Sequence, residues 1–285
     1  MYPPNFNYVR AGSVAEALSL IASEDDAKFL AGGHSLVPAM KLRLDAPGTL
    51  IDIGRIDDLR GIAYGSGDEN DCIGPLTTHS TIASSNLAAA LVEAAGGIGD
   101  PQVRNRGTIG GNIAHADPAS DLPTVLTALE ASIRVEKPGN ARNIDAASFF
   151  TGLFETSLEE NELITVIAVP REEVGTGSAY AKLFNPASRY AVVGACASVT
   201  VNNGVVSRAR VAVGGLTPMA TRCGSVEAAL EGRSTDAIKE ASAQVASDVG
   251  DDILEDIHAS AEYRLGVVPV FVERALQAAC ARAAG

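Results

Sequence analysis

Two short stretches of this chain set a glycine pair between a β-type run and a small hydrogen-bonding side chain. The first is AGGHS, residues 31–35, which follows the apolar DAKFL; the second is TIGGN, residues 108–112. Glycine lacks the Cβ atom that obstructs a loop's approach to an anion, and it tolerates positive φ, so consecutive N–H groups can converge on one anionic group. Ser35 and Asn112 come just after the glycines and can add side-chain hydrogen bonds. Two such segments on opposite sides could enclose a diphosphate without any lysine. Each pair taken alone is equally well a plain turn, because the chain has 28 glycines and further pairs at 96–97 and 214–215. Neither segment fits G-x-G-x-x-G or G-x-x-x-x-G-K-[ST], which sets aside a Rossmann crossover and a P-loop.

The rest of the composition narrows the ligand and the setting. A length of 285 residues suits two or three compact units rather than one minimal core. A net charge of -13 would repel polyanions, so no nucleic-acid partner is expected. An acidic chain that binds a phosphate must do so locally, through backbone N–H groups. No apolar stretch nears the ~20 residues that span a bilayer. The start, MYPPNFNYVRAGS, has no basic region followed by an apolar one, so no transmembrane segment is expected and the expected location is cytoplasmic. Cys72, Cys196, Cys223 and Cys280 stand far apart, without the clustered thiolates of a zinc ribbon or an iron–sulfur centre. His34, His79, His115 and His258 form no metal-binding spacing, and no metal site is expected.

The order of local patterns gives the organisation. SVAEALSLIAS puts Val14, Ala17, Leu18 and Ile21 on one helical face, with Ser13 as N-cap. AKFL and TLIDIG read as strands around the first glycine pair. DCIGPLTTHSTIASSNLAAALVEAAGGIG runs from a strand into a helix capped by Thr78 or Ser80, and SIRVEK and ELITVIAVP are further strands. After Pro170, REEVGTGS reads as a linker. Strands then dominate, with NNG as a hairpin turn, before the helical stretches SVEAALEG, TDAIKEASAQVAS and VPVFVERALQAACARAA. Strands first and helices afterwards signal an α+β domain. The expected units are 1–54, 55–174 and 175–285.

Three motifs together carry a family resemblance: AGGHSLVPAMKLRL, VRNRGTIGGNIAHADPASDLP and HASAEYRLGVVPVFVERAL. They resemble the FAD-binding medium subunits of molybdenum hydroxylases, the family of aerobic carbon monoxide dehydrogenase, the nicotine and quinoline hydroxylases, and the flavin segment of xanthine dehydrogenase. The resemblance covers nearly the whole chain, in order. It implies an α+β fold: a two-part FAD-binding domain of the vanillyl-alcohol-oxidase and cholesterol-oxidase type, followed by a C-terminal α+β domain. It places the FAD diphosphate on Ala31, Gly32, Gly33, His34 and Ser35, and on Thr108, Ile109, Gly110, Gly111 and Asn112. Asp121 would contact the nucleotide part, though it could equally cap the helix LPTVLTALEA. Lys182 would lie near the flavin ring, or else be a solvated strand residue. Tyr190 would shield the isoalloxazine, with an ordinary core position as its rival, and Leu163 or Ile164 would pack near the adenine or the ring. Arg104 and Arg106 could balance phosphate charge or pair with Asp100, and pairing is the expectation. His79 and His115 read as structural.

The same resemblance implies the activity. FAD, held non-covalently, would take electrons from the [2Fe–2S] clusters of a small partner subunit, fed by a large molybdenum subunit with molybdopterin. It would hand them to NAD, oxygen or a quinone. The expected assembly is a dimer of heterotrimers, in which this oxidoreductase component has no catalytic residue of its own. The alternative is a stand-alone FAD-dependent reductase of the same flavin fold.

Overall fold

The computed structural model describes residues 2–66 and 69–285. Its strands fall into three main sheets that follow one another along the chain, plus a small hairpin. The first sheet is parallel, with strand order β1-β3-β2: β1 (Asn7–Arg10), β2 (Ala27–Leu30) and β3 (Thr49–Asp52). Helix α1 (Val14–Ser23) starts where Ser13 accepts a hydrogen bond from the Glu16 N–H, and the Glu16 carboxylate accepts one from the Gly12 N–H at 2.7 Å. Ala17, Leu18 and Ile21 of its apolar face pack with Ile51, Ile53 and Leu59. Strand β2 ends directly in the first glycine pair, and helix α2 (Leu36–Leu42) follows.

The second sheet is antiparallel, in the order β4-β5-β10-β6-β7, from β4 (Ile62–Ala63), β5 (Asp71–Ile73), β6 (Ser132–Lys137), β7 (Asn140–Asp145) and β10 (Leu163–Val169). The hairpin of β8 (Phe150–Gly152) and β9 (Glu155–Thr156) precedes β10. Helices α3 (His79–Ala83), α4 (Ala89–Gly97), α5 (Pro101–Arg104), α6 (Ile109–His115), α7 (Asp121–Ala128) and α8 (Ala146–Phe149) join the strands. The helix expected after Asp71–Ile73 is therefore two helices, α3 and α4, with Thr78 capping the first. Ile133, Val135, Ile164 and Ile167 pack with Leu91, Ile113, Leu122 and Val125 in one core. Every residue of α7 is buried, because it also contacts the third sheet.

The third sheet is antiparallel, β11-β12-β13-β14: β11 (Thr176–Phe184), β12 (Ala191–Asn202), β13 (Val205–Gly214) and β14 (Thr221–Arg222). The expected hairpin turn is present, with Asn203 at φ 52° and Gly204 at φ 78°, the left-handed pair that a two-residue turn requires. Helices α9 (Gly224–Leu230), α10 (Ile238–Ser242) and α11 (Val245–Asp248) come next, and α12 (Ala261–Ala283) lies against β11 and β12. Two boundaries differ from expectation. Strand β11 takes in the last residues of REEVGTGS. Helix α12 starts at Ala261 rather than Val268, since the Ser260 hydroxyl accepts from the Tyr263 N–H and caps it there.

Candidate functional site

A cleft of about 570 Å³ opens where the end of β2, the start of α6 and the turn before β12 meet. Ala31, Gly32, Gly33, His34 and Ser35 all line it. Among the described residues, the N–H groups of Gly32, Gly33, His34 and Ser35 have no acceptor. Gly33 sits at φ +73°, a left-handed conformation that turns the loop from strand to helix. A Cβ at Gly32 would collide with the Arg106 carbonyl, so this segment can lie directly against the second one only as glycine. The first segment is thus a strand-to-helix loop with several N–H donors left for a ligand.

The second glycine pair does a different job. It is not a loop: Ile109, Gly110 and Gly111 form the first turn of α6, with the Thr108 hydroxyl as cap accepting from the Gly111 N–H at 3.3 Å. The Ile109 N–H goes to the Thr77 carbonyl at 3.0 Å and the Gly110 N–H to the Pro75 carbonyl at 2.8 Å. These donors are already engaged, unlike those of the first segment. Thr108, Gly111 and Asn112 line the cleft, whereas Ile109 and Gly110 are buried behind it. The Asn112 carbonyl oxygen accepts from the Ser120 hydroxyl at 2.7 Å, which leaves its amide hydrogens for a ligand.

Asp121 and Lys182 are found together. The Asp121 carboxylate accepts from Lys182 Nζ at 2.8 Å and from the Tyr180 hydroxyl at 2.6 Å. Lys182 also donates to the Gly97 carbonyl at 3.1 Å and to the Arg189 carbonyl at 2.8 Å. Lys182 is therefore a buried cation that joins β11 to α4, to α7 and to the turn before β12, rather than a solvated strand residue. Asp121 is the first residue of α7, and Ser120 occupies the cap position. Burial pushes the Asp121 carboxyl above its ordinary range, while Lys182 and then Tyr180 pull it back. Asp121 lines the cleft; Lys182 stands behind it.

Tyr190 also lines the cleft and is 46% exposed, so it is no core aromatic. A tight turn presents it, with Asn185 Oδ1 accepting from the Ala187 and Ser188 N–H groups and Arg189 at φ 62°. Its hydroxyl is held above the usual tyrosine range by burial, then by Asp117 and Asp121. Leu163 and Ile164 are instead core residues of β10, packed in separate clusters on its two sides. Neither lines the cleft, whereas the nearby Leu158 and Glu162 do. Strand alternation sends Leu163 and Ile164 to opposite faces of β10, each into its own core.

The expected pairing of Arg104 with Asp100 does not occur. Arg104 donates to the Ile98 and Gly99 carbonyls, both at 3.0 Å, because Asp100 is used to cap α5 through the Val103 N–H at 2.8 Å. The result is a fixed turn that adds Ile98, Gly99 and Val103 to the cleft. Asp100 followed by Pro101 is a readable helix start, and could have flagged this turn from sequence. Nothing comparable marks Glu162, which Arg142 holds through contacts of 2.7 and 2.8 Å, so that this carboxyl lies below the ordinary range.

Comparison with known proteins follows the same division of the chain. Residues 4–172 match the family described as FAD binding domain in molybdopterin dehydrogenase, and residues 178–279 match the CO dehydrogenase flavoprotein C-terminal domain. The carbon monoxide dehydrogenase medium chain of Hydrogenophaga pseudoflava is 41% identical, with all of both chains covered. The 6-hydroxypseudooxynicotine dehydrogenase complex subunit alpha of Paenarthrobacter nicotinovorans is 39% identical, over 99% of this chain and 97% of that one. A solved structure of the Hydrogenophaga pseudoflava carbon monoxide dehydrogenase superimposes with a TM-score of 0.93 at 42% identity, covering 99% of each chain. The fold is the expected one, a two-part FAD-binding domain with a C-terminal α+β domain. This chain belongs to the family of FAD-binding medium subunits of the molybdenum hydroxylases.

Proposed function

We propose that this chain holds FAD non-covalently in the cleft and passes electrons from the [2Fe–2S] clusters of a small partner subunit to an external acceptor. The observation that carries the reading is the row of N–H donors on Gly32, Gly33, His34 and Ser35, turned into a cleft of matching family architecture. An acidic chain can bind a diphosphate there without a lysine. Gly32 and Gly33 leave the approach open, and Asn112 adds side-chain donors from the opposite wall. Thr108, Ile109, Gly110 and Gly111 hold that wall in register, with Thr108 and Gly111 at its surface. Tyr190, exposed on its turn, is the group placed to cover the ring, and Asp121 with Lys182 fixes the position of that turn. Bound FAD exchanges electrons singly or in pairs, and so joins one-electron clusters to two-electron acceptors.

Among the described residues no cysteine cluster accompanies the cleft: Cys196, Cys223 and Cys280 are buried singly, and the half-buried Cys72 stands apart from them. The clusters and the molybdopterin therefore belong on small and large partner subunits, and the assembly we propose is a dimer of heterotrimers in the cytoplasm. The test uses the complex with and without this chain. Substrate should reduce the clusters in both, but only the complex containing this chain should pass electrons to the acceptor. If this chain alone oxidises the substrate, the reading fails and the stand-alone reductase replaces it.

A further inference from the structure

His79 is the first residue of α3, and its backbone N–H donates to the Gly107 carbonyl at 3.1 Å. The residue is 3% exposed, yet it lines the cleft. The ring lies under the seam between the two glycine segments: Gly32 abuts Arg106, and the place a Gly107 Cβ would take is 2.7 Å from His79 Cδ2 and Nε2. Gly107 has no side chain, so the imidazole edge can come up beside it. The bridge between Thr78 and Thr108 fixes that register.

The two ring nitrogens are not equivalent. Nδ1 is fully buried and has no hydrogen-bond partner among the described residues. Nε2 is not buried in that way, and it sits on the edge turned to Gly107, itself a lining residue. A neutral imidazole carries one N–H, and a buried N–H without an acceptor costs more than a bare lone pair. The proton therefore resides on Nε2. Burial, and then the charge of His34 on the opposite loop, hold the ring neutral by lowering its pKa to about 4. No carboxylate bonds the ring from any neighbouring element among the described residues.

We propose that His79 is a cofactor-binding residue, whose Nε2–H donates from the floor of the cleft to an oxygen of the phosphate-bearing part of the flavin nucleotide. The inference rests on the FAD reading and adds a side-chain donor to its backbone cradle. A glutamine amide can imitate an Nε2–H donor, and a leucine cannot. His79→Gln should hold FAD within roughly threefold of the unsubstituted protein in a fluorescence titration, and His79→Leu should bind it at least about tenfold more weakly, the scale of one lost hydrogen bond. Thermal unfolding without FAD should differ little between the two.

A second measurement needs no variant. Histidine ¹⁵N spectra of the unsubstituted protein should show one neutral ring protonated at Nε2, whose Nε2 resonance moves when FAD is added. Leucine binding as tightly as histidine, an Nδ1–H tautomer, or a resonance indifferent to FAD would each overturn the proposal. Failure of the unsubstituted protein to bind FAD would instead overturn the FAD reading itself.

Discussion

At the scale of single residues, the two glycine pairs answer to different physics and should respond differently to the same substitution. Gly33→Val forces a β-branched residue into φ +73°, which turns the free N–H groups away from the cleft. Purified protein should lack flavin absorbance and, because of that strain, melt a few degrees below the unsubstituted temperature. Gly111→Val brings a Cβ to 2.9 Å from the Thr108 cap hydroxyl, so it should lose flavin and also about 1 kcal/mol or more of stability. Equal flavin content in a folded Gly33→Val protein would remove the first segment from the site. His79 adds a pH dependence of defined sign. Its folded pKa, about 4, lies below the 6.5 of a free histidine. Between these values the unfolded chain binds a proton that the native ring refuses. The stability this site contributes is thus complete above pH 6.5 and is lost as pH falls towards 4, by about 2–3 kcal/mol at pH 4.5. Urea unfolding at pH 7.5 and 4.5 should show His79→Gln losing that much less than the unsubstituted protein. Equal losses would mean that the ring is not held neutral.

At the scale of elements, the site is a seam fastened from behind. The pair Asp121–Lys182, with Tyr180 on the same carboxylate, ties α7 to β11 and to the turn bearing Tyr190. Lys182→Met leaves a buried carboxylate without its cation and should cost about 3–5 kcal/mol. The double change Asp121→Asn with Lys182→Met should recover much of that, read by denaturant midpoints; no recovery would show that the two residues act independently. Much of this architecture is legible in sequence. The Ser13 cap, the Asn203–Gly204 turn and the strands AKFL and SIRVEK follow from local rules, and the glycine segments do meet across one cleft. What is not legible depends on distant partners. TIGGN reads as a loop until Thr78 and Thr108 pair and a helix start locks in. The pairing of Lys182 with Asp121 is not legible either, because the two lie far apart in sequence and meet only where β11 packs beside α7. The burial of Leu163 and Ile164 in two different cores depends in the same way on what packs against each face of β10, which their own stretch does not state.

At the scale of the whole molecule, segments from all three sheet units line one cleft, and among the described residues the four cysteines stand singly. Co-expression with candidate small and large subunits, followed by capture on this chain, should return all three together, with specific interfaces of roughly 800 Å² per partner. A chain that purifies alone from its host with flavin and full substrate oxidation would contradict the assembly. Acid precipitation should release all the flavin to the supernatant, because neither His34 nor a cysteine offers a covalent link in this account; flavin retained in the pellet would refute non-covalent binding. A crystal structure of the FAD-loaded protein would show directly where the cofactor sits. Diphosphate oxygens should lie within hydrogen-bond distance of the N–H groups of Gly32, Gly33, His34 and Ser35. A flavin seated elsewhere, or a diphosphate held by lysines and arginines outside this cleft, would contradict that placement.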